Sequence, residues 1–315
     1  MISITADGMS TNSSTPEPVS VILPVYNDPV GVRTTLKSLL NQQYNQYEIL
    51  PVDNNSTDET AKVVHRLAEQ HPEWITPLEE TTVQSSYAAR NTGIEHSSGS
   101  ILLFIDSDMW VNENWVGDMI TFFESRDCDY LGCNVEIIAD DSNFWEAYEQ
   151  SFSFPIKSYV EYKHFAPTCA LAVRRNVFED IGSFDERLES GGDKEFGQRV
   201  YHADFKQCYA GDVTAYHPAR DSWEALRSKA LRIGRGRAQK WRYYPDADIS
   251  HHPLNPLNFL PPSPFRLRRH FSGHGTSIPL LAGFYLLEYA LKLTQSYGAI
   301  RETVSQRRSD QGKYI

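Results

Sequence analysis

Apolar and amphipathic segments alternate along the first third of the chain. Val19–Asn27 (VSVILPVYN) is apolar and rich in β-branched residues, which is typical of a strand covered on both faces. Apolar residues then recur at helical spacing from Val32 to Leu40, and Asp28 and Pro29 before them predict a helix cap and a first-turn proline. The first unit is therefore a strand followed by a helix.

This strand–helix unit is repeated. Tyr47–Asn54 (YEILPVDN) has the pattern of a second strand, and Ser56 with Glu59 three residues later predicts a capping box for the next helix. The third unit has a short strand around Trp74–Leu78, a helix, and the apolar strand Ser100–Asp106 (SILLFID). Strands joined by helical crossovers predict an α/β fold built on a parallel sheet.

The second half of the chain is less regular. We expect helices at Glu113–Glu124 and Lys194–His202, and strands at Tyr130–Ile138 and Thr168–Arg175. Beyond about Ala219 the composition becomes basic. The predicted organisation is a tail with little structure (1–18), a large α/β domain (19–218) and a C-terminal extension (219–315).

The C-terminal extension is basic and then apolar. Arg227–Arg242 has seven basic residues and no acidic one, and Arg266–His270 (RLRRH) follows a proline-rich segment. Ser277–Ile300 runs apolar for about ten residues before Glu288 and Lys292, against the roughly 20 needed to span a bilayer. An amphipathic helix that lies at a membrane interface or packs on the domain suits this segment better than a transmembrane helix.

The composition is that of a globular protein with a negative net charge. Hydrophobic residues make up 40% of the chain, and the formal net charge is −11 at pH 7. That much apolar surface excludes a wholly disordered chain. The negative field repels phosphate polymers, so we expect no nucleic-acid partner.

The N-terminus and the cysteines bear on the compartment. Residues 1–18 have neither a basic start nor an apolar core, so we expect no signal peptide. The cysteines form neither a CxxC pair nor a zinc-ligand spacing, and we expect buried or free thiols in a reducing compartment. They are Cys128, Cys133, Cys169 and Cys208.

Polar residues cluster where three predicted strands end. The first strand ends in Pro24–Asp28 (PVYND), the second in Asp53–Ser56 (DNNS), and the third long one in Asp106–Asp108 (DSD). Ligands of open parallel sheets bind beyond these strand ends. The chain has no GxGxxG or GxxxxGK[ST] motif, which argues against dinucleotide-dependent enzymes and P-loop NTPases. Two carboxylates separated by one residue suit Mg²⁺ or Mn²⁺ that bridges the protein and the phosphates of a ligand.

Four segments in order resemble family 2 glycosyltransferases of the GT-A fold. They are VSVILPVYND, VDNNSTDET, AARNTGIEHSSGSILLFIDSDMW and FDERLESGGDKEFGQR, and the likeness covers about Val19–His217. The resemblance implies a Rossmann-like, mostly parallel sheet flanked by helices. It also implies inverting transfer of a sugar from a nucleotide-diphosphate donor, usually a UDP-sugar, to an acceptor hydroxyl or phosphate.

The resemblance assigns donor-binding roles. Pro24, Tyr26 and Asp28 match residues that line the base and ribose pocket, and Asp53 matches the carboxylate that binds the nucleobase. Arg90 stands where the family places a side chain near the donor sugar or diphosphate. The structural alternatives are that Asp53 only caps a helix and that Arg90 forms a surface ion pair.

The resemblance also assigns metal and catalytic roles. Asp106 and Asp108 match the motif that binds Mn²⁺ or Mg²⁺, Asp106 being also a candidate for the ribose, and His217 matches a further metal or diphosphate ligand. Asp193 matches the general base, while Gly192 replaces the glutamate that usually precedes it. The alternatives are a structural histidine and a solvated first-turn carboxylate.

The C-terminal extension suggests the acceptor. Clustered arginine and lysine beside an apolar helix attract anionic lipids. We therefore expect peripheral docking on the cytoplasmic face of the membrane, a polyprenyl- or dolichyl-phosphate-linked glycan acceptor, and a surface-layer or cell-envelope glycan as the product. The alternative is that the basic face clamps the donor diphosphate or the acidic domain, while a C-terminal helix pair completes the core.

Two other functions compete with this interpretation. A sugar-nucleotide pyrophosphorylase would need a glycine-rich basic loop after the first strand, and PVYNDPVG is neither. A catalytically inactive glycosyltransferase-like scaffold is favoured by Gly192 and disfavoured by the intact acids Asp106, Asp108 and Asp193.

Overall fold

The computed structural model describes residues 17–139, 143–151, 154–245, 252–263 and 277–311. Within them, helices flank one mixed eight-stranded sheet, which confirms the predicted α/β class. The predicted tail lies outside the described residues except for Glu17 and Pro18, and the basic cluster Arg266–His270 lies outside them entirely.

The sheet is parallel in its first half and mixed in its second. The strands are β1 (Val19–Val25), β2 (Tyr47–Asp53), β3 (Leu78–Glu79), β4 (Ile101–Phe104), β5 (Trp110–Val111), β6 (Tyr130–Ile138), β7 (Leu171–Arg174) and β8 (Gln207–Pro218). They are arranged in the order β3-β2-β1-β4-β7-β6-β8-β5. The first four run parallel, as predicted, whereas β7 runs antiparallel to both of its neighbours. Since β1 and β4 lie inside the sheet, their side chains are almost completely buried.

Helices connect the strands and cover the sheet. They are α1 (Pro29–Leu40), α2 (Thr60–Gln70), α3 (Ser86–His96), α4 (Trp115–Arg126), α5 (Phe144–Ser151), α6 (Ile156–Lys163), α7 (Arg175–Ile181), α8 (Gly192–His202), α9 (Trp223–Tyr243) and α10 (Ile278–Gln311). Asp28 caps α1 as predicted, since its Oδ1 accepts a hydrogen bond from the Gly31 N–H at 2.8 Å. The predicted capping box of α2 is wrong, because Ser56 Oγ accepts from the Asn27 N–H instead and joins two loops.

The C-terminal extension forms a helix pair. Helices α9 and α10 cross so closely that a Cβ on Gly234 would lie 2.1 Å from the Gln295 carbonyl oxygen, and one on Gly298 would lie 2.7 Å from that of Leu231. Phe284 on α10 is buried in a second apolar cluster that both helices share. Among the helices of the described residues, none combines the length and the apolarity needed to cross a membrane.

The cysteines differ from expectation. Cys128 and Cys208 form a disulfide with their Cα atoms 6.2 Å apart, although 80 residues separate them in sequence. The prediction of free thiols is therefore wrong for this pair, because the parallel pairing of β6 with β8 brings the two residues together. Cys133 and Cys169 are free and buried, as expected.

Candidate active site

A cavity of about 670 Å³ opens beyond the carboxyl ends of β1 and β4. Its position follows from the topology, because the loops after these parallel strands leave the sheet on the same edge. The structure brings eight of the nine predicted site residues into its wall: Pro24, Tyr26, Asp28, Arg90, Asp106, Asp108, Asp193 and His217.

Asp53 is the predicted site residue that does not line the cavity. Its Oδ2 accepts a hydrogen bond from the Ser56 N–H at 3.1 Å, and its buried Oδ1 has no partner among the described residues. The neighbouring Asn54 lines the wall instead, held there by its side-chain bonds to the carbonyls of Glu80 and Val83. The Oδ1 atom of Asp53 is thus a hydrogen-bond acceptor that takes no part in the local turn.

Arg90 is buried at the wall of the cavity. Its side chain is only 3% exposed, and its Nη2 donates to Asp106 Oδ1 at 2.6 Å. The alternative of a surface ion pair is therefore wrong. Because Arg90 lies on α3 and Asp106 lies just after β4, this charge-assisted bond links α3 to the segment Asp106–Asp108.

Asp108 and His217 face each other across the same end of the cavity. His217 Nδ1 donates to the Pro218 carbonyl at 2.6 Å, and its Nε2 lies 3.7 Å from Asp108 Oδ2. Burial raises the pKa of Asp108 above its usual range; Asp106 adds to the rise and His217 opposes it.

These donors suit a divalent cation. A carboxylate and an imidazole 3.7 Å apart can bind one ion between them, and an imidazole held by a carbonyl is a common arrangement around metals. Within the described residues, no cluster of three His, Cys, Asp or Glu side chains has the geometry to hold an ion by itself. An ion bound by Asp108 and His217 would take its remaining ligands from water and from ligand phosphates, as Mg²⁺ commonly does.

Asp193 lies in the first turn of α8, half-buried at the cavity wall. Its Oδ1 accepts from the Lys194 N–H at 2.8 Å. Burial raises the pKa of Asp193 above its usual range, while that hydrogen bond and the cations of Lys240, Arg90 and Arg232 oppose the rise. A carboxylate with a raised pKa is a better proton acceptor near neutrality.

Three basic side chains that were not singled out individually line the same cavity. Arg220 and Lys229 both bind Glu149, at 2.8 Å and 2.7 Å, whereas Arg232 has no ion-pair or hydrogen-bond partner among the described residues. The signal was present in the sequence, since Arg220 ends the motif YHPAR and the other two belong to the basic stretch 227–242. Acidic and basic side chains thus line one cavity, which suits a phosphate ligand bound with a cation.

The basic stretch faces the domain. Lys240 Nζ donates to the Gly191 carbonyl at 3.1 Å, and Arg235 forms an ion pair with Glu189. Both acceptors belong to the segment that leads into α8. These side chains of α9 therefore bind the domain, as expected from the alternative in which the basic face holds the acidic domain.

Sequence comparison identifies the family. The chain matches the profile of Glycosyl transferase family 2 over residues 20–182, more than half of its length. The protein is a family 2 glycosyltransferase. The transferase is 36% identical to Glycosyltransferase AglE of Haloferax volcanii over 226 residues, which are 71% of this chain and 74% of that one. It is 29% identical to the O-antigen biosynthesis protein RfbC of Myxococcus xanthus, over 58% of this chain and 16% of the much longer relative.

Solved structures share the fold of the transferase. The mannosyltransferase PcManGT of Pyrobaculum calidifontis, in complex with GDP-Man and Mn²⁺, superposes with a TM-score of 0.61 at 19% identity, over 91% of this chain and 87% of that one. S. aureus TarS 1–349 in complex with UDP-GlcNAc superposes with a TM-score of 0.54 at 18% identity, over 93% of this chain and 92% of that one. The GT-A fold implied by the sequence resemblance is thereby confirmed.

Proposed function

We propose that this transferase moves a sugar from a UDP-sugar to a lipid-linked glycan acceptor, with inversion, in the assembly of a cell-surface or S-layer glycan. The observation that supports it most is one cavity lined both by the acids Asp106, Asp108 and Asp193 and by the basic side chains of Arg220 and Arg232. The GDP-Man and UDP-GlcNAc bound to the two structural neighbours support a nucleotide-diphosphate donor. The choice of uracil rests on the resemblance around Asp53.

In this proposal the strand ends hold the donor. Pro24, Tyr26 and Asp28 bind its base and ribose, while Arg90 orients Asp106 toward the ribose or the diphosphate. Asp108 and His217 would hold Mn²⁺ or Mg²⁺. When bound, the ion neutralises charge on the departing diphosphate oxygens.

Asp193 is the proposed general base. The acceptor hydroxyl oxygen bonds to the anomeric carbon while its proton passes to Asp193, and the bond from that carbon to the diphosphate oxygen breaks. The nucleoside diphosphate leaves with the electron pair, so one displacement inverts the anomeric centre. The free guanidinium of Arg232 is close enough to oppose the raised pKa of Asp193, and it is suited to a phosphate of the acceptor.

Exposed apolar side chains support a membrane-bound acceptor. Leu254, Leu257, Leu260 and Leu286 are each more than half exposed. Lys292 on α10 holds the loop against the helix by donating to the carbonyls of Leu257 and Leu260. We propose that these leucines, more than the inward-facing basic stretch, form the surface that docks the enzyme on the cytoplasmic face of the membrane.

Turnover tests the reaction. UDP release is measured with Mn²⁺, a membrane lipid extract and each of UDP-glucose, UDP-galactose and UDP-GlcNAc. We expect acceptor-dependent release that Asp108→Ala abolishes and that the exposed control Asp118→Ala, on α4, leaves intact. Nucleotide binding without any turnover would favour the inactive scaffold, and turnover unchanged by Asp108→Ala would refute the proposed site.

Flotation tests the membrane surface. With vesicles that contain anionic phospholipid, we expect the protein to float and the double variant Leu257→Ser/Leu286→Ser to stay at the bottom. Tyr162→Ser removes an even more exposed aromatic ring on α6 and serves as the control. A double variant that floats like the wild type would refute this docking surface.

A further inference from the structure

Two glycines precede Asp193. The backbone conformation favours glycine at the first position, and a neighbouring side chain favours it at the second. Gly191 has a φ of +84°, a left-handed backbone that favours glycine. Gly192 has no such backbone, yet a Cβ there would lie 2.8 Å from both Cε2 and Cζ of the Tyr87 ring. The ring of Tyr87 therefore occupies the space that any side chain at position 192 would need.

The Tyr87 hydroxyl also bonds to the start of the same helix. It accepts hydrogen bonds from the N–H groups of Gly192 at 2.9 Å and of Asp193 at 3.3 Å. The first N–H groups of a helix have no acceptor within the helix. Gly191, the N-cap residue, has no side chain that could accept a hydrogen bond. The phenol oxygen of Tyr87 is the acceptor instead.

Tyr87 is itself held rigidly. Its side chain is 5% exposed, its ring packs on Phe184, and the Arg90 guanidinium lies 5.6 Å from the ring centroid. Its own N–H donates to Ser85 Oγ, the cap of α3. Because these contacts restrict the ring, its hydroxyl can hold the backbone groups that donate to it.

We propose that Tyr87 is the positioning residue for Asp193, and that Gly192 is glycine to admit its ring. This inference rests on the proposed function, in which Asp193 is the base. In this inference, Gly192 stands where the family usually has glutamate because Tyr87, 105 positions earlier in the chain, fills the space beside it. The Tyr87 hydroxyl anchors the first turn of α8 from outside the helix.

The first test removes only the hydroxyl. With the UDP-sugar that turns over, Tyr87→Phe should lower kcat about 10- to 100-fold, because a small displacement of a catalytic group is costly. The KM for the donor should stay unchanged, since Asp193 does not bind it. Tyr47→Phe, which loses a buried hydrogen bond to the Leu39 carbonyl far from the cavity, should leave kcat unchanged. An unchanged kcat in Tyr87→Phe would overturn the inference.

The second test uses the short distance between a Cβ at position 192 and the ring of Tyr87. Gly192→Ala should lower kcat in the wild-type background, and in a Tyr87→Ala background it should cause no further loss, because the obstructing ring is gone. Additive losses in the double variant would overturn the inference.

Hydrogen–deuterium exchange provides a readout that does not depend on turnover. The amides of Gly192 and Asp193 should exchange faster in Tyr87→Phe than in the wild type, and equal rates would overturn the inference. Asp193→Asn separates the two proposals. If Asp193→Asn retains full turnover, the proposed base is wrong; if it abolishes turnover while Tyr87→Phe does not, only the positioning role is wrong.

Discussion

Glu149 forms a buried ion cluster whose contribution to stability can be worked out. Its side chain is 4% exposed and accepts from Arg220 and Lys229. Burial alone would raise the pKa of Glu149, but the two cations and their hydrogen bonds hold it at about 2, against an ordinary 4.5. Linkage converts this difference into about 3 kcal/mol of folding free energy, and removal of one partner from a buried pair commonly has a similar effect.

Glu149→Gln tests this value. The free energy of unfolding at pH 7, measured by urea denaturation, should fall by about 3 kcal/mol. A carboxylate with a lowered pKa stabilises the fold above its unfolded pKa and loses that effect as the pH falls through the folded one. The difference between wild type and variant should therefore shrink to about 2 kcal/mol near pH 3.5 and continue to shrink toward pH 2.

The matched control is the exposed pair of Glu59 and Lys62, whose side chains are 68% and 70% exposed. Glu59→Gln should change the free energy of unfolding by less than about 1 kcal/mol at any pH. The reasoning is refuted if Glu149→Gln costs no more than this control, or if its cost does not depend on pH.

Other perturbations test the cavity and the packing. Lys240→Met removes a cation that opposes the raised pKa of Asp193, so the acid limb of the pH profile of kcat/KM should move to higher pH; an unmoved limb would contradict the assignment. Gly234→Ala should lower the free energy of unfolding by about 1–3 kcal/mol, because its Cβ would lie 2.1 Å from a carbonyl of the facing helix. In the same denaturation assay Gly117→Ala, whose Cβ meets a single atom at 3.9 Å, should be neutral or stabilising. Reduction with dithiothreitol should lower the stability of the wild type by about 2–4 kcal/mol and leave Cys208→Ser unaffected; equal responses would show that the disulfide contributes nothing.

Residues next to strand ends were predictable because their placement is local. An apolar, β-branched run makes a buried strand, and in a parallel sheet whatever follows such a strand lies at the carboxyl edge. Asp28, Asp106 and Asp108 follow this rule, and all line the cavity. Asp53 ends a strand as well, but its turn directs one oxygen to the Ser56 N–H and leaves it off the wall.

Other features depend on contacts between distant segments. Local spacing predicted that Ser56 caps a helix, whereas its hydroxyl joins a loop 29 residues away. The spacing of the cysteines carried no sign of the Cys128–Cys208 disulfide, because the pairing of two strands brings those residues together. In each case the competing partner is remote in sequence.

By itself, the sequence determined the strand–helix units, the edge where polar side chains collect and the family. The tertiary structure decided that α9 turns its basic residues toward Glu149 and Glu189, and that the Tyr87 ring fills the space beside Gly192. The physical reason is the distance in sequence over which each effect acts. Periodicity and strand ends depend on a few neighbouring residues. Which residue pairs with a buried charge, and which side chain fills the space beside a glycine, depends on how whole helices pack.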